Sequence, residues 1–175
     1  MREFSTVQEK ILDRALYLIG KRGNYDVPIR EITRAAGVNV SAVSYYFGSK
    51  AKMLQEVDYF FIRNYEAAYA PLEGPGEPEE RLTRWANEVM EYTLQYPGIQ
   101  LLQRYVLGLS EENAMKAFLV ENARRYDRKV EQVMRDAFCA GGVAPAMLKV
   151  MLYSALIHPA SFGTDSDFDT ASIRD

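Results

Sequence analysis

The side chains best suited to chemistry are few and do not gather into a catalytic set. The 175-residue chain holds a single histidine and a single cysteine. His158 stands beside Pro159 at the end of an expected helix and reads as structural, and Cys139 reads as a small buried hydrophobe. Asp165, Asp167 and Asp169 imitate the opening of a calcium loop, but Thr170 occupies the sixth position and the sequence stops before a twelfth-position glutamate, so no metal is expected there. There is no Gly-rich phosphate cradle, His/Cys cluster or nucleophile with an evident base. The chain therefore reads as a non-enzyme without a cofactor. What remains is hydrogen-bonding chemistry in one short stretch, where Asn39, Ser41, Ala42, Ser44, Tyr45 and Tyr46 are left for the outside of a short helix and its approach. Such groups suit phosphate oxygens and base edges, the first fixing position and the second choosing sequence.

Charge is distributed to match. The net charge is -3, but residues 1–52 carry +4 and the remainder -7. A polyanion is steered to this basic head and not to the acidic body. With 48% hydrophobic and 26% charged residues the chain has an ordinary globular composition. One cysteine makes no internal disulfide, no leader-like segment opens the chain, and the apolar runs fall well short of the roughly 20 residues of a membrane span. A cytoplasmic protein with no membrane partner is expected.

The elements that must position these groups follow from apolar periodicity and from Gly and Pro punctuation. Val7, Ile11, Ala15, Leu16, Leu18 and Ile19 predict a first helix over roughly 5–21. A second begins at Pro28, with Asp26 as its candidate cap, turns Ile29, Ile32, Ala35 and Ala36 inward and stops at Gly37. Ser41 to Phe47 forms a short third helix closed by Gly48, with Val43 and Phe47 facing inward. Ser49 caps a long fourth, whose apolar positions Met53, Leu54, Val57, Phe60, Phe61, Tyr65, Ala68 and Tyr69 end before Pro71. Beyond the loop Pro71 to Pro78, helices are expected near 79–95, 97–109, 111–140 and 144–158, and the tail after Phe162 is expected to fray. The fold class is all-α: an N-terminal three-helix helix-turn-helix domain, 1–49, joined to a C-terminal helical domain, 50–175.

Residues 29–47 satisfy the demands of a helix-turn-helix: a bracing helix, a turn at Gly37, and a short polar helix able to enter a major groove. Their order, Ile32-Thr33-Arg34-Ala35-Ala36-Gly37-Val38, then Tyr45-Tyr46-Phe47-Gly48-Ser49-Lys50 and Leu54, resembles the tetracycline-repressor (TetR/AcrR) family over about residues 5–57. The resemblance implies a homodimer, a DNA-binding head, and a helical body for dimerisation and ligand binding whose pocket controls release from a palindromic operator. Position by position it places Val40, Ser41, Ala42, Ser44, Tyr45 and Tyr46 toward DNA, Lys50 on a phosphate, and Arg30 on a further backbone or base contact; Arg34 reads as a solvated face. The sequence departs from the family pattern at Ser44, commonly a tyrosine, at Val27-Pro28, commonly a Thr/Ser pair, and at Tyr25, one place later than the usual aromatic.

In the body, Trp85, Met90, Tyr92, Tyr96, Leu101, Tyr105, Phe118, Tyr126 and Met151 are candidates to line an effector pocket, against the plainer reading of a packed core. The helices 111–140 and 144–158 form the pair expected at a twofold interface; the second is too apolar all round to face water. The leading expectation is a ligand-responsive repressor acting as a homodimer on operator DNA, with an unidentified small-molecule effector. The alternative is a helical interaction protein or non-specific DNA binder without an effector.

Overall fold

A computed structural model describes residues 6–110, 112–138, 147, 148, 150–152 and 154. Every regular element among them is helical. Helix α1, Val7–Arg22, opens with a capping box: the Thr6 hydroxyl accepts from the Glu9 amide at 3.1 Å, and the Glu9 carboxylate accepts from the Thr6 amide at 3.3 Å. Gly23, at φ 70°, ends it in the left-handed region that a side chain resists. Ile11, Ala15, Leu16 and Ile19 form its fully buried stripe.

Helix α2, Ile29–Ala35, is entered through Pro28, whose fixed φ suits the position. Asp26 does not cap it: the Asp26 amide is bound by the Asn24 side chain, and Arg22 grips both the Asp26 carbonyl and the Glu31 carboxylate. Helix α3, Ser41–Phe47, and helix α4, Lys50–Tyr69, follow. Ser49 caps α4 as expected, accepting from the Lys52 amide at 3.2 Å. A 3-10 turn, Ala70–Glu73, occupies part of the expected Pro-rich loop. Helices α5, Pro78–Gln95, α6, Ile99–Leu107, and α7, Ala114–Phe138, complete the well-described body. Residues 147, 148, 150–152 and 154 are helical, within the expected 144–158. Cys139, the Gly141-Gly142 pair, His158, the aspartates at 165, 167 and 169, and the tail after Phe162 lie outside the described residues.

Two apolar clusters organise the packing. The first joins the inner faces of α1, α2 and α3 to Met53, Val57, Phe60 and Phe61 of α4, and also takes in Tyr96, Ile99, Leu102, Val106, Met115, Phe118 and Leu119 from the body. The second holds Tyr69, Leu72, Leu82, Trp85, Val89, Val130, Val133 and Met134. Helix α4 contributes to both and is the beam between them; at 20 residues it runs about 30 Å. The core therefore passes without a break across position 49.

Two assignments, one inward and one outward, need correction. Ala35 is exposed, and Thr33 is buried in its place, its hydroxyl donating to the Ile29 carbonyl at 3.0 Å. The inward stripe runs through Ile29, Ile32, Thr33 and Ala36, and at about 100° per residue Ala35 lies about 110° from its centre. Ala42, expected on the outside with the rest of the α3 face, is half-buried against the first cluster.

Candidate nucleic-acid interface

The turn between α2 and α3 is built from backbone. The Val38 amide bonds back to the Thr33 carbonyl at 2.9 Å and the Gly37 amide to Arg34 at 3.2 Å, with Gly37 at φ 67°. This is a Schellman ending, and it redirects the chain within three residues. The Asn39 side chain then accepts from both the amide (3.0 Å) and the hydroxyl (2.9 Å) of Ser41, fixing the start of α3. Gly48, at φ 76°, closes α3, and its amide returns to the Ser44 carbonyl at 3.0 Å. Val43 and Phe47 anchor α3 from beneath.

What this scaffold leaves outside is a polar face. Val40, Ser41, Ser44, Tyr45 and Tyr46 are all exposed, and Ala42 supplies only a half-covered methyl. Tyr45 is 82% exposed while Tyr46 is 38% exposed. The two rings meet edge to face with centroids 4.8 Å apart, so Tyr46 braces Tyr45. Tyr45 is thus the projecting side chain, a difference that their adjacency in sequence does not reveal. Arg30 is exposed near the start of α2, and Lys50 is half-buried at the first turn of α4. Tyr46 also lines a groove of about 580 Å³ between the start of α1, α3 and α4, which it shares with Gln8, Lys52, Gln55 and Arg63. Sequence reasoning gave Lys52 no role and placed Asn39 outside without its hold on Ser41, which an Asn two residues before a helical Ser signals.

The candidate effector residues are not brought together. Trp85 and Met90 belong to the second cluster; Tyr92, Tyr96 and Phe118 belong to the first, and Tyr126 touches both. Leu101 and Tyr105 turn outward, 52% and 41% exposed, and Met151 is 60% exposed. Leu101 and Tyr105 lie on the outer side of α6 because Ile99, Leu102 and Val106 take its inner side. Between the clusters lies a layer of aromatic rings. Tyr65 stacks on Tyr69 at 4.6 Å and meets Phe118 and Tyr126 at 5.5 and 5.4 Å, while Tyr69 meets Trp85 at 5.7 Å. Burial pushes the Tyr65 and Tyr126 hydroxyls above the usual phenol range.

Two buried carboxylates tie the head to the body. Asp13 of α1 accepts from the Tyr96 hydroxyl at 2.7 Å, from Gln95 at 3.0 Å and from Arg14 at 2.6 Å. Asp58 of α4 accepts from the Tyr25 hydroxyl and from Asn113 at 2.9 Å. A third contact is steric: Gly20 and Gly98 approach so closely that a Cβ on Gly98 would collide with the Gly20 carbonyl oxygen. No group of acids, histidine or cysteine suited to a metal occurs among the described residues, and no helix among them is long and apolar enough to cross a membrane.

Comparison with known proteins bears on this geometry. Residues 11–57 match the family model of bacterial regulatory proteins, tetR family, inside the span 5–57 over which the sequence resembles that family. The HTH-type transcriptional regulator BetI of Agrobacterium fabrum is 34% identical over 77 residues, 43% of this chain and 37% of that one. BetI of Brucella abortus is 36% identical over 47 residues, 27% and 24% of the two chains. The matched part thus spans well under half the length of these curated relatives. Among solved structures, the TetR family transcriptional regulator PfmR of Thermus thermophilus superposes with a TM-score of 0.63 at 21% identity, covering 93% of this chain and 91% of that one. A transcriptional regulator from Saccharomonospora viridis, solved in complex with choline, gives 0.57 at 20% identity, covering 87% and 82%. At these identities the likeness is one of fold, and it extends the agreement from the head to the whole helical body.

Proposed function

We propose, from the match of residues 11–57 to the family model of tetR-family bacterial regulatory proteins, that the chain is a ligand-responsive transcriptional repressor that binds palindromic operator DNA as a homodimer. The observation that carries the reading is α3: a two-turn helix anchored by Val43 and Phe47, set by two glycine turns, and presenting Val40, Ser41, Ser44, Tyr45 and Tyr46 outward. A helix so held enters a major groove with its side chains at base edges. Lys50 and Arg30 flank it and supply phosphate contacts, the salt-dependent part of the affinity.

Palindromy follows from a twofold dimer. Support for a second chain comes from exposed apolar side chains late in the sequence: Val120, Met147, Val150 and Met151, each 60% exposed or more. For the effector, the aromatic layer of Tyr65, Tyr69, Trp85, Phe118 and Tyr126 supports a body site that opens between rings. Ring faces attract quaternary ammonium groups, and the Saccharomonospora viridis neighbour holds choline, so that class is tested first. An effector that lowers operator affinity a hundredfold must favour the released form by about 2.7 kcal/mol.

The test is selection of bound sequences from a random duplex library at physiological salt, with wild type and a Tyr45→Ala/Lys50→Ala variant in parallel. A palindromic consensus that the variant fails to enrich supports the reading. Enrichment unchanged in the variant removes α3 as the reading helix, and uniform, strongly salt-dependent binding favours the non-specific alternative.

A further inference from the structure

On the exposed face of α3 the position of one proton is fixed by elementary chemistry. The Ser41 amide nitrogen lies 3.0 Å from the Asn39 side-chain oxygen, and the Ser41 hydroxyl lies 2.9 Å from the same atom. A backbone amide can only donate, so the Asn39 atom that meets it is the carbonyl oxygen and not the amide nitrogen. A carbonyl oxygen can only accept, so the proton of the second contact is the hydroxyl proton of Ser41. A serine hydroxyl ordinarily turns to donate or to accept as its partner requires. Here its single proton is spent on Asn39, and what Ser41 shows outward is lone pairs. Both residues are exposed, and Ser41 stands four residues before the projecting Tyr45, on the same side of the helix.

We infer that Ser41 selects an amino-bearing base edge in the operator, adenine N6 or cytosine N4, and that Asn39 is the positioning residue that imposes this choice. The inference rests on α3 being the reading helix. In the major groove adenine and cytosine carry an N–H donor on those amino groups, whereas guanine presents N7 and O6 and thymine presents O4, all acceptors. A hydroxyl with only lone pairs to offer matches the first two bases and is repelled by the others. It is equally unsuited to a phosphate oxygen, the contact that fixes position without reading sequence. Each base pair has its amino group on one strand only, so Ser41 tells A·T from T·A and C·G from G·C at one position of each half-site. The discrimination lies in the placement of one proton and draws on no charge at the helix end.

Selection of bound sequences from a random duplex library tests this on the full chain, with wild type, Ser41→Ala, Asn39→Ala and Asn39→Asp in parallel. Ser41→Ala marks the base pair that Ser41 faces, because the preference there disappears while the rest of the consensus remains. In wild type that position carries adenine or cytosine over guanine or thymine on one strand by about tenfold. Asn39→Ala frees the hydroxyl to turn, and the preference at that position alone falls to within about twofold. Asn39→Asp keeps an oxygen for both Ser41 donors, so the preference survives, while the added negative charge lowers affinity for every sequence alike. A residue that merely shaped α3 would weaken all positions together when truncated.

Guanine or thymine at the Ser41 position in wild type, or a consensus that Ser41→Ala leaves unchanged throughout, would overturn the inference. So would a preference that outlives Asn39→Ala, one that is lost in Asn39→Asp, or an equal loss at every position in Asn39→Ala. In each of these outcomes wild type still selects a palindromic consensus. Failure of the operator reading itself shows differently, as no consensus in wild type at all.

Discussion

Two buried carboxylates join the same pair of regions, yet they are built on opposite principles. Asp13 has a guanidinium on one oxygen and two neutral donors on the other. Asp58 has neutral donors on both. At Asp13 the Arg14 cation stands against the carboxylate, whereas at Asp58 burial without a cation raises the carboxyl above its ordinary range. The first joint is a fixed strut between α1 and the end of α5. The second ties the α1–α2 link, α4 and the start of α7 through neutral donors alone.

Breaking the strut gives the largest effect. Asp13→Ala strands the Arg14 guanidinium and the buried Tyr96 hydroxyl, and it should cost about 3 kcal/mol, read from urea midpoints at unchanged slope. A loss below about 1 kcal/mol would mean that the strut is replaceable by water.

The pH dependence sharpens the comparison. Because the folded Asp58 carboxyl sits at about 6, above its ordinary value, the stability it contributes is greatest at acid pH and fades as pH rises through about 6. Relative to Asp58→Asn, wild type should lose about 2 to 3 kcal/mol between roughly pH 3.5 and 7.5. Parallel curves for the two proteins would remove the asymmetry between the joints.

The steric seam comes next. Gly98 has φ 82° and no room beside the Gly20 carbonyl, so Gly98→Ala should cost about 2 kcal/mol in thermal or urea unfolding and loosen α6 from α1. Gly37→Ala is the control, since its φ of 67° is similar but its Cβ would meet nothing within 4 Å. It should cost about 1 kcal/mol. Equal losses at the two sites would show that the close approach carries no weight.

These contrasts also explain what could be read from sequence. The turns at Gly37 and Gly48 and the Ser49 cap were legible because each is decided by residues a few places apart, where only certain side chains fit. The inward positions of α4 were legible because its 20 residues repeat the helical period enough times to define a face. Helix α2 offers only seven residues, and Ala35 was placed on the wrong side. The cap of α1 is Thr6, identifiable from Glu9 three residues on, close to the start expected at about residue 5. The joints were not legible. Tyr25 and Asp58 are 33 positions apart, and Asp13 and Tyr96 are 83 apart, and no local pattern marks such pairs. The spread of the candidate effector residues was not legible for a related reason: aromatic residues at helical spacing look alike whether they close a core, as Trp85 does, or face outward, as Tyr105 does.

The most direct measurement uses fluorescence anisotropy on a selected operator and on a scrambled duplex of equal length, at physiological salt, for wild type and Tyr45→Ala. Tyr45 is 82% exposed, so its removal should change stability by less than about 0.5 kcal/mol. Wild type should prefer the operator by at least about a thousandfold, and Tyr45→Ala should lose at least about tenfold of that preference while its affinity for the scrambled duplex hardly changes. Equal affinity of wild type for both duplexes, or a Tyr45→Ala variant that discriminates as well as wild type, would contradict the assignment of α3 as the reading helix.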